Sequence, residues 1–285
     1  MPPYAPPADP SIMRHDLTGP FDIIGDVHGC ADELEDLLGV LGYAVRWDND
    51  EADGRAVQVT APPGRQVVFV GDLVDRGPRT PDVLRLVMAM VNAGSALCVI
   101  GNHDLKFKRW LAGRSVELGH GLAESVRQMQ PESALFRKAV YDFLGKLPDY
   151  LCLDRGRLTI AHAGIEAWMI GNISDRIRSF CLYGDRTSGE RDAAGLTVRY
   201  NWAAGYHGAS MVVYGHTPVT EAARVNNTIC LDTGCVFGGT LTAMRWPEQT
   251  LVSVPARRTY VTTLRPFGLP PTRAGVANRV MTRQP

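Results

Sequence analysis

None of the six cysteines (Cys30, Cys98, Cys152, Cys181, Cys230, Cys235) forms a Cys-x-x-Cys pair. Structural zinc sites favour closely spaced thiolates in closed tetrahedral shells, so that class is disfavoured. Most of the cysteines lie in apolar stretches such as Leu97-Cys98-Val99-Ile100, and the expectation is free, buried, reduced thiols, as in a cytoplasmic protein. Lysine is scarce: Lys106, Lys108, Lys138 and Lys146 stand among 30 basic residues. Codon bias accounts for most of the arginine, and bidentate phosphate contacts for only a few. Net charge is absent too, 30 basic residues balancing 30 acidic ones, which argues against salt-driven binding to long duplex DNA but leaves a short strand held by its end. No apolar run is long enough to span a membrane, so no membrane partner is expected. The first ten residues lack the basic start and apolar core of a signal peptide.

What is present is concentrated in a few short segments: Gly25-Asp26-Val27-His28-Gly29, Gly71-Asp72-Leu73-Val74-Asp75-Arg76-Gly77, Gly101-Asn102-His103-Asp104, Ala161-His162-Ala163 and Gly215-His216-Thr217. Each follows an apolar run that reads as a buried strand. Strands at 21–25, 66–71 and 96–100 alternate with helices at 31–41, whose Leu34, Leu37, Leu38 and Leu41 share a face, and at 81–92. This order predicts an α/β domain with a parallel sheet, and ligands in such sheets bind at the carboxyl ends of the strands. Residues 120–147 read as helical. Strands are expected at 158–161, 211–214, 228–232, 241–245 and 251–255, the last two joined as a hairpin. The polar stretch 182–207 reads as a long ordered insertion. One domain over 21–260 is expected, between a Pro-rich, loosely attached segment at 1–20 and an irregular tail at 261–285.

Carboxylates, an amide and imidazoles at strand ends suit two divalent ions sharing an anion. The spacing assigns Asp26, His28 and Asp72 to one ion, and Asp72, Asn102, His162 and His216 to the other, with Asp72 bridging. Asp26 and His28, two apart, would share a side of a regular strand. Two ions about 3.5–4 Å apart can ready a hydroxide for in-line attack on phosphorus. His103 is the candidate general acid, Asp75 the group that would orient it and raise its pKa, and Arg76 a fork for phosphate oxygens. Taken singly each residue reads as a turn former; together the ordered set points to a phosphohydrolase. The mixed oxygen and imidazole donor set fits manganese, iron, zinc or nickel.

At these motifs the chain resembles the binuclear metallophosphoesterases, in the phosphoprotein-phosphatase-like branch. The resemblance implies the calcineurin-like fold, a mixed α+β arrangement of two mixed sheets flanked by helices with metals at the strand ends. A narrower likeness runs through Gly101–Arg109, His120-Gly121-Leu122-Ala123-Glu124-Ser125, Val198–Ala204, Gly215–Pro218 and Thr228–Gly239. There the chain looks like the central phosphatase module of bacterial polynucleotide kinase-phosphatase. That likeness implies manganese-type metal dependence and, as favoured substrate, RNA ends carrying a 3′- or 2′-phosphate or a 2′,3′-cyclic phosphate. It also supports Asp232 as a group orienting Arg76. No Gly-x4-Gly-Lys-Ser/Thr loop and no Lys-x-Asp-Gly motif occurs, so no kinase or ligase domain is expected in this chain.

Alternative functions are a symmetrical dinucleoside tetraphosphatase, a protein Ser/Thr phosphatase, or a catalytically silent scaffold for phosphate or RNA ends. Arg186 and Arg199 are candidate substrate contacts beside Arg76. Trp202 and Tyr206 read either as base-stacking rings or as core anchors. Lys106, Lys108, Arg109 and Arg114 read as a solvated helix face or as a nucleic-acid contact, and His120 and His207 as packing or helix-end residues.

Overall fold

A period of two along the strands explains the layering. In Phe21–Ile24, Phe21 and Ile23 face one side while Ile24 faces the other, and in Gln66–Phe69 Val68 opposes Val67 and Phe69. Both faces are therefore apolar, as in a sheet covered on both sides. The computed structural model describes residues 11–48, 55–192, 195–263, 265–268, 270 and 272. Its five-stranded sheet runs in the order Thr250–Pro255, Thr240–Trp246, Phe21–Ile24, Gln66–Phe69, Ala96–Cys98. The last three are parallel, and Thr240–Trp246 lies antiparallel beside Phe21–Ile24.

A six-stranded sheet faces it, in the order Met13–Arg14, Tyr150–Leu153, Leu158–Ala161, Met211–Tyr214, Thr228–Cys230, Arg224–Val225. Phe21, Ile23, Val68, Leu151, Leu158, Ile160, Val213 and Leu231 fill the space between the sheets. Outside the first sheet, helices Ala31–Leu41, Thr80–Asn92 and Asn102–Leu111 pack through residues such as Leu34, Leu38, Val83, Val87 and Phe107. Outside the second, Ile165, Ile177, Cys181, Tyr206 and Tyr214 form another cluster. The result is two mixed sheets between helical layers, the architecture expected from the motifs.

The helix expected at 120–147 is two helices, Leu122–Met129 and Ala134–Lys146, divided around Pro131. Elements without a counterpart in the sequence reading include the hairpin Ala44–Asp48 with Ala56–Thr60, the strand Tyr150–Leu153, the helix Asp175–Tyr183, the hairpin Asp185–Arg191 with Thr197–Tyr200, and the strand Arg224–Val225. Tyr150–Leu153 is buried on both faces and shows no alternation to read. Residues 11–20 also depart from expectation. Met13 and Arg14 pair in parallel with Cys152 and Leu153, because Ile12, 5% exposed, inserts into the outer cluster of the second sheet. The segment expected to be loosely attached is thus fastened from residue 11 onward, while 1–10 lie outside the described residues. In the tail, Arg265 donates from Nε to Asp192 at 2.7 Å and the Phe267 ring meets Phe237 at 6.0 Å; residues 273–285 lie outside the described part. All six cysteines are buried and free.

Candidate metal centre

Every polar motif sits just beyond the carboxyl end of a strand, where the two sheets present neighbouring loops. Asp26 and His28 do not converge by strand alternation, since the strand ends at Ile24. The chain turns instead, with His28 at φ 45°, held by His28 N–H to the Asp72 carbonyl at 2.8 Å and Gly29 N–H to the Leu73 carbonyl at 2.9 Å. Asp72, Asp75, Arg76 and His216 also have positive φ, at 49°, 75°, 72° and 71°. For residues with a Cβ each such conformation costs about 1–3 kcal/mol, and such strain collects at functional sites. Two glycines make room for carboxylates. A Cβ on Gly101 would lie 2.2 Å from Asp72 Oδ1, and one on Gly215 would lie 1.9 Å from Asp26 Oδ1.

Asp72, 1% exposed, lies at the middle of the arrangement. Its Oδ2 is 3.5 Å from His28 Nε2 and 3.3 Å from His162 Nε2, while Oδ1 accepts the His103 N–H at 2.9 Å. His162 Nε2 lies 3.0 Å from Asn102 Oδ1 and 3.1 Å from His216 Nδ1. The other ring nitrogens of His28 and His162 donate to the carbonyls of Val74 and Val70, at 2.8 and 3.1 Å. That fixes the tautomers and turns both Nε2 lone pairs into the site, the arrangement typical of metal-binding imidazoles. Asp26 Oδ2 accepts the His216 N–H at 3.0 Å.

These residues fit a pair of cations. Asp26 Oδ1 and His216 Nε2 are buried and have no hydrogen-bond partner. Burial, then repulsion from Asp232 and Asp72, pushes the Asp26 carboxyl well above its ordinary pKa. Burial and neighbouring cationic groups hold His28 and His216 well below theirs. Burial alone would raise Asp72, but His162 and His103 overcome it and keep this carboxyl low. Acceptors converge here without enough positive charge, the condition a divalent cation relieves. His28, Asp72 and His103 place donor atoms within 4.8 Å of one another, as do Asp72, His162 and His216.

Beside this cradle, His103 Nδ1 lies 2.6 Å from Asp75 Oδ2. Arg76 donates from one terminal nitrogen to His28 Nε2 at 2.6 Å and from the other to His103 Nε2 at 2.9 Å. The raised pKa expected for His103 is not found, because burial dominates. Burial lowers the His103 imidazole to about 3 and raises Asp75 to about 7, so the pair rests with a neutral imidazole. Asp232 does not orient Arg76 through an ion pair: its Oδ1 turns back to accept the Gly234 N–H at 3.1 Å, and Arg76 reaches the histidines instead. Burial still raises Asp232 to about 6, beside Asp26.

Sequence reasoning missed two supporting residues. Asp104 accepts the N–H groups of Leu73 and Gly101, both at 2.9 Å, and so joins the Asp72 loop to the Asn102 loop. Its place three residues after the Gly101 cap is the signal, an acidic residue closing a capping box. Ser125 Oγ accepts the Asp75 N–H at 2.8 Å. The remaining candidates separate. Trp202 donates to the Ala163 carbonyl at 3.0 Å and packs on Tyr214, and Tyr206 is 3% exposed, so both are core anchors. Lys106 is held by the Gly119 carbonyl at 3.0 Å and Lys108 lies over Tyr141. His120 and His207 are exposed. Arg199 is half-buried against the His216 carbonyl at 3.5 Å, and Arg186 lies further out, 3.9 Å over Tyr183.

Replacing Gly215 by alanine should displace the Asp26 carboxylate while leaving every donor in the sequence. The expected result is a metal affinity lowered about 10–100-fold, the usual scale for disturbing the support of a ligand, with little change in thermal unfolding of the metal-free protein. Titration with manganese followed by calorimetry measures it; unchanged affinity would separate Asp26 from metal binding.

Comparison with known proteins gives the site a context. The calcineurin-like phosphoesterase family matches residues 19–220. The bis(5′-nucleosyl)-tetraphosphatase PrpE (asymmetrical) of Anoxybacillus flavithermus is 44% identical over 252 residues, covering 87% of this chain and 99% of the relative. The protein of the same name from Bacillus subtilis is 43% identical, covering 84% and 96%. A solved structure described provisionally as a diadenosine tetraphosphatase superposes with a TM-score of 0.61 at 25% identity, covering 86% of this chain and 97% of the other.

Proposed function

The chain belongs to the calcineurin-like phosphoesterase family, a family of metal-dependent phosphohydrolases built on a binuclear centre, and from that premise we propose that it cleaves dinucleoside tetraphosphates asymmetrically. The observation that carries this reading is the near-complete coverage of relatives bearing that name, 96% of one and 99% of another at 43% and 44% identity. It replaces the narrower expectation of an RNA-end phosphatase, since these relatives are tetraphosphatases rather than polynucleotide kinase-phosphatases. It also changes the symmetrical cleavage expected for the dinucleotide alternative into the asymmetrical kind.

In this reading Asp26, His28 and Asp72 hold one ion, and Asp72, Asn102, His162 and His216 the other. Bound there, two divalent ions supply an activated water and positive charge against the phosphate oxygens. Arg76 now donates to His28 Nε2, the atom an ion would take, so occupancy frees the guanidinium to fork onto phosphate. Asp75 anchors the His103 ring at Nδ1, leaving Nε2 to face the leaving oxygen. The water oxygen bonds to phosphorus, the bridging P–O bond breaks, and the departing oxygen takes a proton. A four-phosphate bridge cut in this way yields a nucleoside monophosphate and a nucleoside triphosphate.

The test is a panel on manganese-loaded protein: diadenosine tetraphosphate, 3′-phosphorylated RNA, a 2′,3′-cyclic nucleotide and a phosphopeptide. The dinucleotide should give the highest kcat/KM, with adenosine mono- and triphosphate as products. Two equivalents of the diphosphate, or faster turnover of RNA ends, would refute the reading.

A further inference from the structure

Resting on the dinucleotide reading, we propose that the cleft between the helix Asp175–Tyr183 and the hairpin Asp185–Arg191 with Thr197–Tyr200 seats the three-phosphate arm of the substrate, and so selects which bridging bond is cut. The cleft has a volume of about 710 Å³, and Arg176, Phe180, Arg186 and Thr197 are among its walls. That volume lies within the usual range for small-molecule sites.

The cleft adjoins the candidate metal centre. Gly184 and Asp185 line it and also line a smaller cavity whose opposite wall includes Arg199 and His216. Arg199 and Arg186 are register partners across the hairpin. Three guanidinium groups therefore lead outward, Arg199 beside His216, Arg186 on the neighbouring strand, and Arg176 on the facing helix. Among the described residues no carboxylate is paired with any of the three. Arg186 reaches Ser179 Oγ at 3.4 Å, and Arg199 the His216 carbonyl at 3.5 Å. Glu166 and Asp185 line the cleft as well, and the three guanidinium groups leading to the candidate metal centre fit the phosphates of a polyphosphate chain.

The aromatic groups fit the rest of that arm. Arg186 lies 3.9 Å over the Tyr183 ring and Arg176 5.2 Å over Trp168, which is 54% exposed. Arginine–aromatic pairs at the rim of a cleft offer flat faces on which a base can stack. Asymmetric cleavage leaves one phosphate on one side of the broken bond and three on the other. With the reacting phosphorus at the metal centre, the three-phosphate side has three arginines along its path.

The experiment compares wild type with Arg176→Ala, Arg176→Glu and Arg176→Lys as manganese-loaded full chains. It measures kcat/KM for diadenosine tetraphosphate and for p-nitrophenyl phosphate, and inhibition of the latter by adenosine triphosphate. Loss of a charge-assisted contact predicts a fall of about 10-fold for alanine and about 100-fold for glutamate on the dinucleotide, mainly in KM, with lysine close to wild type. The nitrophenyl substrate should be unaffected, and triphosphate inhibition should weaken in the same order. Arg176→Glu with wild-type dinucleotide KM and wild-type triphosphate inhibition would overturn the proposal. A wild type that ignores the dinucleotide, yet is inhibited by triphosphate through Arg176, would instead overturn the substrate reading and leave the cleft as a nucleotide site.

Discussion

Asp72→Ala is expected to release both ions at once and to lower turnover by at least about 10³-fold, because several kcal/mol of transition-state charge stabilisation leave with them. No other ligand candidate should behave this way. Asp72 Oδ2 lies 3.5 Å from His28 and 3.3 Å from His162, so it faces both halves of the cradle. Removing His28 or His216 opens one half and leaves the other's donors in place. Two controls separate metal loss from collapse of the fold. Asp72 Oδ1 accepts the His103 N–H at 2.9 Å, and Asp72→Asn keeps an acceptor there while removing the charge. The Asn102 and Asp72 loops also remain joined through Asp104, so circular dichroism of either variant should match wild type. Metal content after loading and desalting is the measurement. A stoichiometry of two ions in Asp72→Ala would remove the bridging role.

Legibility in the sequence followed how each residue is placed. Asp72, Asn102 and His162 follow strands whose apolar runs are unmistakable, so their place at the carboxyl ends of strands followed from the order of elements. The approach of His28 did not. Its left-handed turn exists because its N–H finds the Asp72 carbonyl, a contact between segments distant in sequence. Asp232 lies two residues beyond the strand Thr228–Cys230, and the direction of its carboxylate is set by the Gly234 N–H two residues on, a local turn with no pattern of its own. The hairpin 185–200 was the least legible element. Its polar strands bury no continuous face, so neither its pairing nor the nearness of Arg199 to His216 could be read from periodicity. The substrate was hidden for a related reason. Metal ligands are dictated by the reaction, whereas the arginines of the proposed cleft, Arg176, Arg186 and Arg199, have a spacing along the sequence that carries no signature.

His103→Ala should separate substrates by leaving group. In the free protein the imidazole is neutral, burial holding its pKa down to about 3, and Nε2 accepts from Arg76 at 2.9 Å. Arrival of a phosphate reverses both influences. Arg76 turns to the phosphate oxygens and withdraws its donor from Nε2, and the new negative charge favours protonation of the ring. Asp75, 2.6 Å from Nδ1, holds the ring while the proton sits on Nε2. An alkoxide leaving group needs that proton, and general acids of this kind contribute about 10²–10⁴-fold. A nitrophenolate leaves without it. The variant is therefore expected to lose about 10²–10⁴-fold on an alkyl phosphate and about 10-fold or less on p-nitrophenyl phosphate. A nucleotide departing from a dinucleotide through its phosphate oxygen should fall between the two. Asp75→Asn should reproduce the same ordering with smaller losses, since it loosens the ring without deleting it. Equal losses on the alkyl and nitrophenyl substrates would show that His103 acts before departure of the leaving group, as a contact to the bound phosphate rather than as its acid.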